Sequence, residues 1–246
     1  MKLQDPLALL WPCLAALALA AANGPLNAGD LTLAMDGEQT LKAASVGIQG
    51  NPQFVEGKKG KAVRLTKGSF LALPSRGVFD AGKGSVAMWV KPEWNGDDGQ
   101  RHTFFHLGGS DSHFTIFKTE GGTLRFVYKR DPQHLAAIDL PVRGWKAGEW
   151  HQVTASWMRS DEDIALVLKV GEATGFRLDV KPLAATPATI FIGSRGPTLE
   201  PAEAVIDEVL ITDRLLLTPP IPLGEKGKLV AEVDAAATIG PLRRIH

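Results

Sequence analysis

The sequence predicts an all-β protein, a sandwich of two antiparallel sheets, and three observations lead there. Runs such as Phe114-Thr115-Ile116-Phe117, Leu124-Arg125-Phe126-Val127-Tyr128, Ile164-Ala165-Leu166-Val167-Leu168 and Phe176-Arg177-Leu178-Asp179-Val180 are rich in β-branched and aromatic residues. Turn residues separate them, among them Gly121-Gly122, Asp131-Pro132 and Pro141. With Gly 26 and Pro 16, no window carries a 3.6-residue apolar stripe of helical length, so helix is confined to a leader or to short turns. Turn signals recur roughly every 8 to 15 residues, a spacing that suits a sandwich rather than alternating strands and helices.

The clearest strand follows the Gly-bearing turn in Trp145-Lys146-Ala147-Gly148-Glu149-Trp150. Val153, Ala155 and Trp157 share one face while Gln152, Thr154 and Ser156 share the other, the period of two that a half-buried strand requires. Trp89, Trp150 and Trp157 are expected in the core, and Trp145 is expected to close the turn beneath it. In Ala204-Val205-Ile206-Asp207-Glu208-Val209-Leu210-Ile211 the positions 205, 207, 209 and 211 have one parity, which puts Asp207 on an apolar face. A buried carboxylate needs backbone N–H groups, a basic side chain or a metal as partner.

These two segments resemble laminin-G-like sequence. Four further segments, Gly57-Lys58-Lys59-Gly60-Lys61-Ala62-Val63-Arg64-Leu65, Phe70-Leu71-Ala72-Leu73-Pro74, Ser85-Val86-Ala87-Met88-Trp89-Val90-Lys91-Pro92 and Thr189-Ile190-Phe191-Ile192-Gly193, stand in the order seen in bacterial laminin-G-like domains of the concanavalin A-like lectin/glucanase superfamily. The resemblance covers residues 30–218 and implies a two-sheet antiparallel jelly roll. Two departures lie outside the core: Lys169-Val170-Gly171-Glu172 replaces the Asp-Gly hairpin, and Leu215-Leu216-Leu217-Thr218-Pro219-Pro220 replaces a short helix after the last strand.

Length suits one sandwich domain. Residues 1–22 read as a signal peptide, with Lys2, an apolar run over residues 7–22, and Ala20-Ala21-Ala22 before a cleavage site near Ala22. That run of about 16 residues, broken by Pro12, is short of the roughly 20 a spanning helix needs, so no membrane span is expected once the leader is removed. Cys13, the only cysteine, lies in the leader, and Leu10-Trp11-Pro12 before it argues against a lipid-anchor site. The sandwich domain is assigned to residues 23–218, and residues 219–246 to a C-terminal extension, an edge strand or a linker. The expected location is secreted, periplasmic or cell-surface. Lys plus Arg and Asp plus Glu both count 27, so net charge gives no drive toward nucleic acid or an anionic membrane.

Catalytic signals are sparse. Retaining hydrolysis of glycans needs two carboxylates about 5 to 5.5 Å apart, and no Glu-x-Asp-x-x-Glu run occurs. Asp97-Asp98 and Asp161-Glu162-Asp163 read as solvated turns. His102, His106 and His113 lack helical ligand spacing for zinc. His106 reads as an ordinary strand residue and His151 as a hydrogen-bonded core or rim histidine. Ser110, Asp111 and His113 are adjacent in sequence, which is not triad geometry.

The resemblance implies a calcium ion at the sandwich rim, with Asp36 and Asp207 as the metal residues. The alternatives are an Asx-Gly turn at Asp36 and a backbone-capping carboxylate at Asp207. It also implies sugar recognition by aromatic rings and planar polar groups in rim loops. Trp94, among polar residues from Lys91 to His102, is either a loop anchor or a stacking platform, and Arg195 joins it if their loops share one end of the sandwich. The expectation is a non-catalytic carbohydrate-binding or adhesion module whose partner is a glycan or a cell-surface protein, with no nucleic acid. The alternatives are a glycoside hydrolase or lyase of the same fold and a purely structural cell-surface interaction domain.

Overall fold

The computed structural model describes residues 29–219 except 110, 161, 184, 197 and 198. The expected leader, residues 1–22, and all but the first residue of the 219–246 extension lie outside the described residues, as do Ser110 and Asp161. The described chain runs through β1 (Leu31–Leu33), α1 (Glu38–Ala43), β2 (Gly47–Gln49), β3 (Gln53–Glu56), β4 (Lys61–Leu65) and β5 (Phe70–Pro74). It continues through β6 (Lys83–Pro92), β7 (His102–Gly108), β8 (His113–Lys118), β9 (Thr123–Asp131) and β10 (His134–Pro141). The last elements are β11 (His151–Ser160), β12 (Asp163–Val170), β13 (Ala173–Val180), β14 (Thr189–Ile192) and β15 (Ala204–Thr212).

These strands form two antiparallel sheets, as the sequence predicts. The first has the order β13-β12-β11-β6-β15-β4-β3, with β1 also on β15; the second has the order β10-β9-β8-β7-β14-β5-β2. Alternation explains the packing. Val86, Met88 and Val90 of β6, Val153, Ala155 and Trp157 of β11 and Leu166 and Leu168 of β12 face Phe105, Phe114, Ile116, Phe126 and Ile190 of the other sheet in one core. Phe79 stacks on Trp157 at 4.7 Å, and Phe114 meets Trp157 edge-on at 4.8 Å, which closes the centre with aromatic area.

Two placements differ from those expected. The β6–β11 register pairs Val90 with His151 and Trp89 with Gln152, so Trp89 and Trp150 face outward and, of these three, Trp157 alone points into the core. Both outward indoles are half-buried under lysines: Lys58 Nζ lies 4.5 Å from the Trp89 ring and Lys91 Nζ 4.9 Å from Trp150. In β15, the register slips between Asp207 and Leu210, and Glu208 has φ 46. This bulge reverses the parity. Ala204 and Ile206 point inward before it and Val209 and Ile211 after it, so Asp207 lies on the outward face with Val205.

The chain after β15 docks without a helix. The Leu216 N–H donates to Ser85 Oγ at 2.9 Å and the Leu217 N–H to Ser156 Oγ at 3.1 Å, which fixes it to the outward face of β6 and β11.

Candidate functional site

The outward face of the second sheet carries a cleft of about 180 Å³. Its floor comes from alternate residues of two paired strands: His113, Thr115 and Phe117 of β8, and Arg125 and Val127 of β9, with Phe117 opposite Arg125 and Thr115 opposite Val127. Two loops wall it. The β6–β7 loop supplies Arg101, and the β14–β15 loop supplies Arg195 and Glu200.

The second loop is a closed turn. Arg195 N donates to Leu199 O at 3.1 Å, Ala202 N donates to Gly193 O at 2.8 Å, and Ser194 Oγ donates to Leu199 O at 2.8 Å. Glu200 adopts φ 49, a left-handed conformation that costs a residue with a Cβ about 1 kcal/mol or more. That backbone lets its carbonyl accept Thr103 N at 3.2 Å while its carboxylate reaches the Arg101 and Arg195 guanidiniums at 3.4 and 3.3 Å.

The cleft's charges are organised by geometry. Arg125 makes a bidentate pair with Asp139, 2.7 and 2.9 Å, and this contact holds its pKa up despite some burial. Arg101 spends its Nε on Glu120 at 2.7 Å and lies over the Phe117 ring at 5.4 Å. Every cleft carboxylate named here therefore faces a guanidinium.

The histidines are held by carbonyls. His106 Nε2 donates to Gly108 O at 3.1 Å, so its Nδ1 accepts from Thr115 Oγ1 at 2.8 Å. His113 Nδ1 donates to Gly109 O at 3.0 Å, which leaves Nε2 of the neutral ring as an acceptor. Burial, with His113 beside it, pushes the His106 pKa down to about 4; burial also lowers that of His113.

The unfolded His106 ring takes up a proton near pH 6.5, whereas the folded one resists it until about 4, so its contribution is complete above 6.5 and lost as pH falls to 4. At roughly 1.4 kcal/mol per pKa unit the loss approaches 3 kcal/mol. Unfolding curves from pH 7 to 4 should lose less stability in His106→Gln than in the wild type; parallel curves would refute this.

Trp94 requires a correction as a ligand residue. It is 8% exposed, donates its indole N–H to Ala202 O at 2.9 Å, stacks on His102 at 4.3 Å and has Lys118 Nζ 5.3 Å from its ring centre. The ring is the loop anchor and offers no face to a sugar. It ties the 93–101 loop to the loop bearing Arg195, but only Arg195 lines the cleft.

Beside Trp94, Asp98 is no solvated turn. Although burial pushes its pKa up, the fully buried Lys118 ammonium and His102 outweigh that and hold the carboxyl below its usual range. His102 bonds Asp98 Oδ2 at 2.8 Å and Pro201 O at 3.1 Å; both are acceptors, so only the doubly protonated ring makes both bonds. His151 is stacked face to face on Trp145 at 4.1 Å, but its Nε2 has no hydrogen-bond partner among the described residues.

Asp36 and Asp207 both grip the β3–β4 turn. The fully buried Asp207 accepts Lys58 N at 2.8 Å and Lys59 N at 3.1 Å on Oδ2 and Glu208 N at 2.8 Å on Oδ1, while Asp36 Oδ1 accepts Lys61 N at 2.8 Å. A Cβ at Gly57 would lie 2.7 Å from Asp207 Oδ2, which accounts for glycine there. Calcium needs six to eight oxygen ligands, whereas N–H donors converge on these carboxylates. The arrangement does not fit a calcium ion held between them, and no group of three His, Cys, Asp or Glu side chains among the described residues is placed to hold a metal.

Known proteins with this architecture are distant. The binding domain of botulinum neurotoxin serotype D superposes with a TM-score of 0.55 at 13% identity over 70% of this chain and 43% of that one. The botulinum neurotoxin DC binding domain, seen in complex with SialylT, gives 0.54 at 15% identity, 70% and 43%. The same domain in complex with rat synaptotagmin II gives 0.53 at 15%, 70% and 44%. The chain thus spans less than half the length of these neurotoxin domains. No curated protein matches. The family model described as Concanavalin A-like lectin/glucanases superfamily matches residues 65–221, most of the described sandwich. With two antiparallel sheets in jelly-roll form and a match over more than half its length, the chain belongs to the concanavalin A-like lectin/glucanase superfamily, in its laminin-G-like branch.

Proposed function

We propose that the chain is a non-catalytic glycan-binding module and that the cleft on the outward face of the second sheet is its binding site. The observation that carries this reading is the cleft's composition. Guanidiniums from two loops and a strand, a neutral histidine acceptor and a hydroxyl line one cleft, the planar polar groups that fix a sugar's hydroxyls. The neurotoxin binding domains of like fold, in complexes with SialylT and with synaptotagmin II, support recognition as the use of this architecture. Export through the leader at residues 1–22 belongs to the same proposal. No helix among the described residues is long and apolar enough to cross a membrane.

The absence of catalysis is argued from Glu120, Asp139 and Glu200. Each is held by an arginine, and a carboxylate clamped by a guanidinium cannot serve as the proton donor that glycoside cleavage requires. The protein without its leader should bind at least one glycan class on an array and release no reducing sugar from laminarin, agar, carrageenan or sialosides. Arg101→Ala combined with Arg125→Ala should abolish binding while costing about 1 kcal/mol of stability, since half-exposed ion pairs contribute little. Turnover lost on replacing one Asp or Glu would favour a hydrolase or lyase; an array without hits would favour the structural interaction domain.

A further inference from the structure

The three arginines of the cleft are not equivalent, and their difference specifies a ligand. Arg125 commits its Nε and Nη2 edge to both oxygens of Asp139. Arg101 commits its Nε to Glu120 and one Nη to Glu200. Arg195 makes a single side-chain bond among the described residues, from Nη1 to Glu200 Oε1 at 3.3 Å, and its Nε–Nη2 edge has no protein partner there. That edge is the fork whose two parallel N–H groups match the two oxygens of a carboxylate.

The residues around it favour the same group. Arg195 is 32% exposed, enough for access and little enough for water to be partly displaced. Glu200 Oε1 is shared by Arg101 and Arg195, so one oxygen faces two cations. The Nε2 acceptor of His113 stands in the same cleft and suits a hydroxyl that must donate. A carboxylate beside hydroxyls is the signature of an acidic sugar.

Resting on the glycan-binding reading above, we infer that the cleft selects carboxylate-bearing sugars, uronates or sialosides, and that Arg195 is the residue that takes the carboxylate through its free edge. The guanidinium then keeps its bond to Glu200 and gains two to the ligand, so no existing ion pair has to break. The carboxylate enters as an anion and no covalent step is involved.

The test is calorimetry with oligogalacturonides and sialyllactose against the same sugars carboxyl-reduced to neutral hydroxymethyl forms. The wild type should bind one of the acidic sugars at least tenfold more tightly than its reduced form. Arg195→Gln should bring the acidic sugar to the affinity of the reduced one, with the melting temperature unchanged. Equal wild-type affinity for both forms would overturn the inference while leaving the glycan site standing. Equal loss for both forms in Arg195→Gln would overturn it too, by making the residue a wall of the cleft. If the wild type binds neither form of these sugars, the inference falls; if in addition the broad array gives no hits, the glycan reading falls with it.

Discussion

Replacing Trp94 with alanine is expected to lower stability by about 3–5 kcal/mol, the cost of truncating a large core side chain, without any direct loss of ligand contact. The indole fills the space between His102, Phe104 and Trp145, and its N–H donates to Ala202 O. Removing it opens a cavity and takes the indole donor from the Ala202 carbonyl. Beneath it, Lys118 is fully buried against Asp98, and Asp98→Ala should do damage of the same order, because an ammonium would be stranded in the interior. Denaturant unfolding measures both effects. If Trp94→Ala melted like the wild type and bound no glycan, the ring would be a stacking platform after all and the anchor reading would be wrong.

Much of this sandwich was legible in the chain itself, since the alternation of Val153, Ala155 and Trp157 fixes which face of β11 is buried without any knowledge of its neighbours. β6 carries the same signal. Trp89 is the one large apolar residue on a face it shares with Lys83, Ser85 and Lys91, while Val86, Met88 and Val90 make the other face wholly apolar, and pairing with Gln152 confirms that Trp89 points outward. The bulge in β15 was invisible. Nothing in Val205-Ile206-Asp207-Glu208-Val209 marks a reversal of parity, which arises because β4 pairs with residues 204–206 and β1 with residues 209–211, and the strand bends where its partner changes.

The site was less legible than the fold. Its loop marks Arg195 as a candidate binding residue, but its neighbours in the cleft are Arg101, His113 and Phe117, brought together by the register of β8 and by two loops separated by nearly a hundred positions. Trp94 was ambiguous for a physical reason. An indole in a polar loop is anchored or exposed according to what lies beneath it, and here that is Lys118 and His102, whose burial no local pattern announces. A usable signal existed in Phe114-Thr115-Ile116-Phe117-Lys118, where strict alternation places the lysine inward with Phe114 and Ile116 and so demands a buried carboxylate.

Asp207→Ala should destabilise the protein by about 3–5 kcal/mol, because a fully buried carboxylate loses three backbone donors at once and charge-assisted hydrogen bonds contribute roughly 1.5–3 kcal/mol each without adding fully. The effect has a structural address. Lys58 and Lys59 N–H groups at the β3–β4 turn and the Glu208 N–H in the bulge would all be left without their acceptor, so the turn should loosen where β4 and β1 part. Hydrogen exchange at Lys58 and Glu208 should therefore accelerate more than exchange in β8 or β9. Asp207→Asn preserves one acceptor oxygen and should cost less than the alanine variant. A calcium site at Asp36 and Asp207 makes a contrary forecast. Ligand binding to the folded state alone raises the melting temperature with concentration, so wild-type melts would rise with calcium, fall with chelator, and lose that response in Asp207→Ala. Since N–H groups already occupy the carboxylate, the expected result is identical wild-type melts in calcium and in chelator, together with the full stability loss in the variant under both conditions.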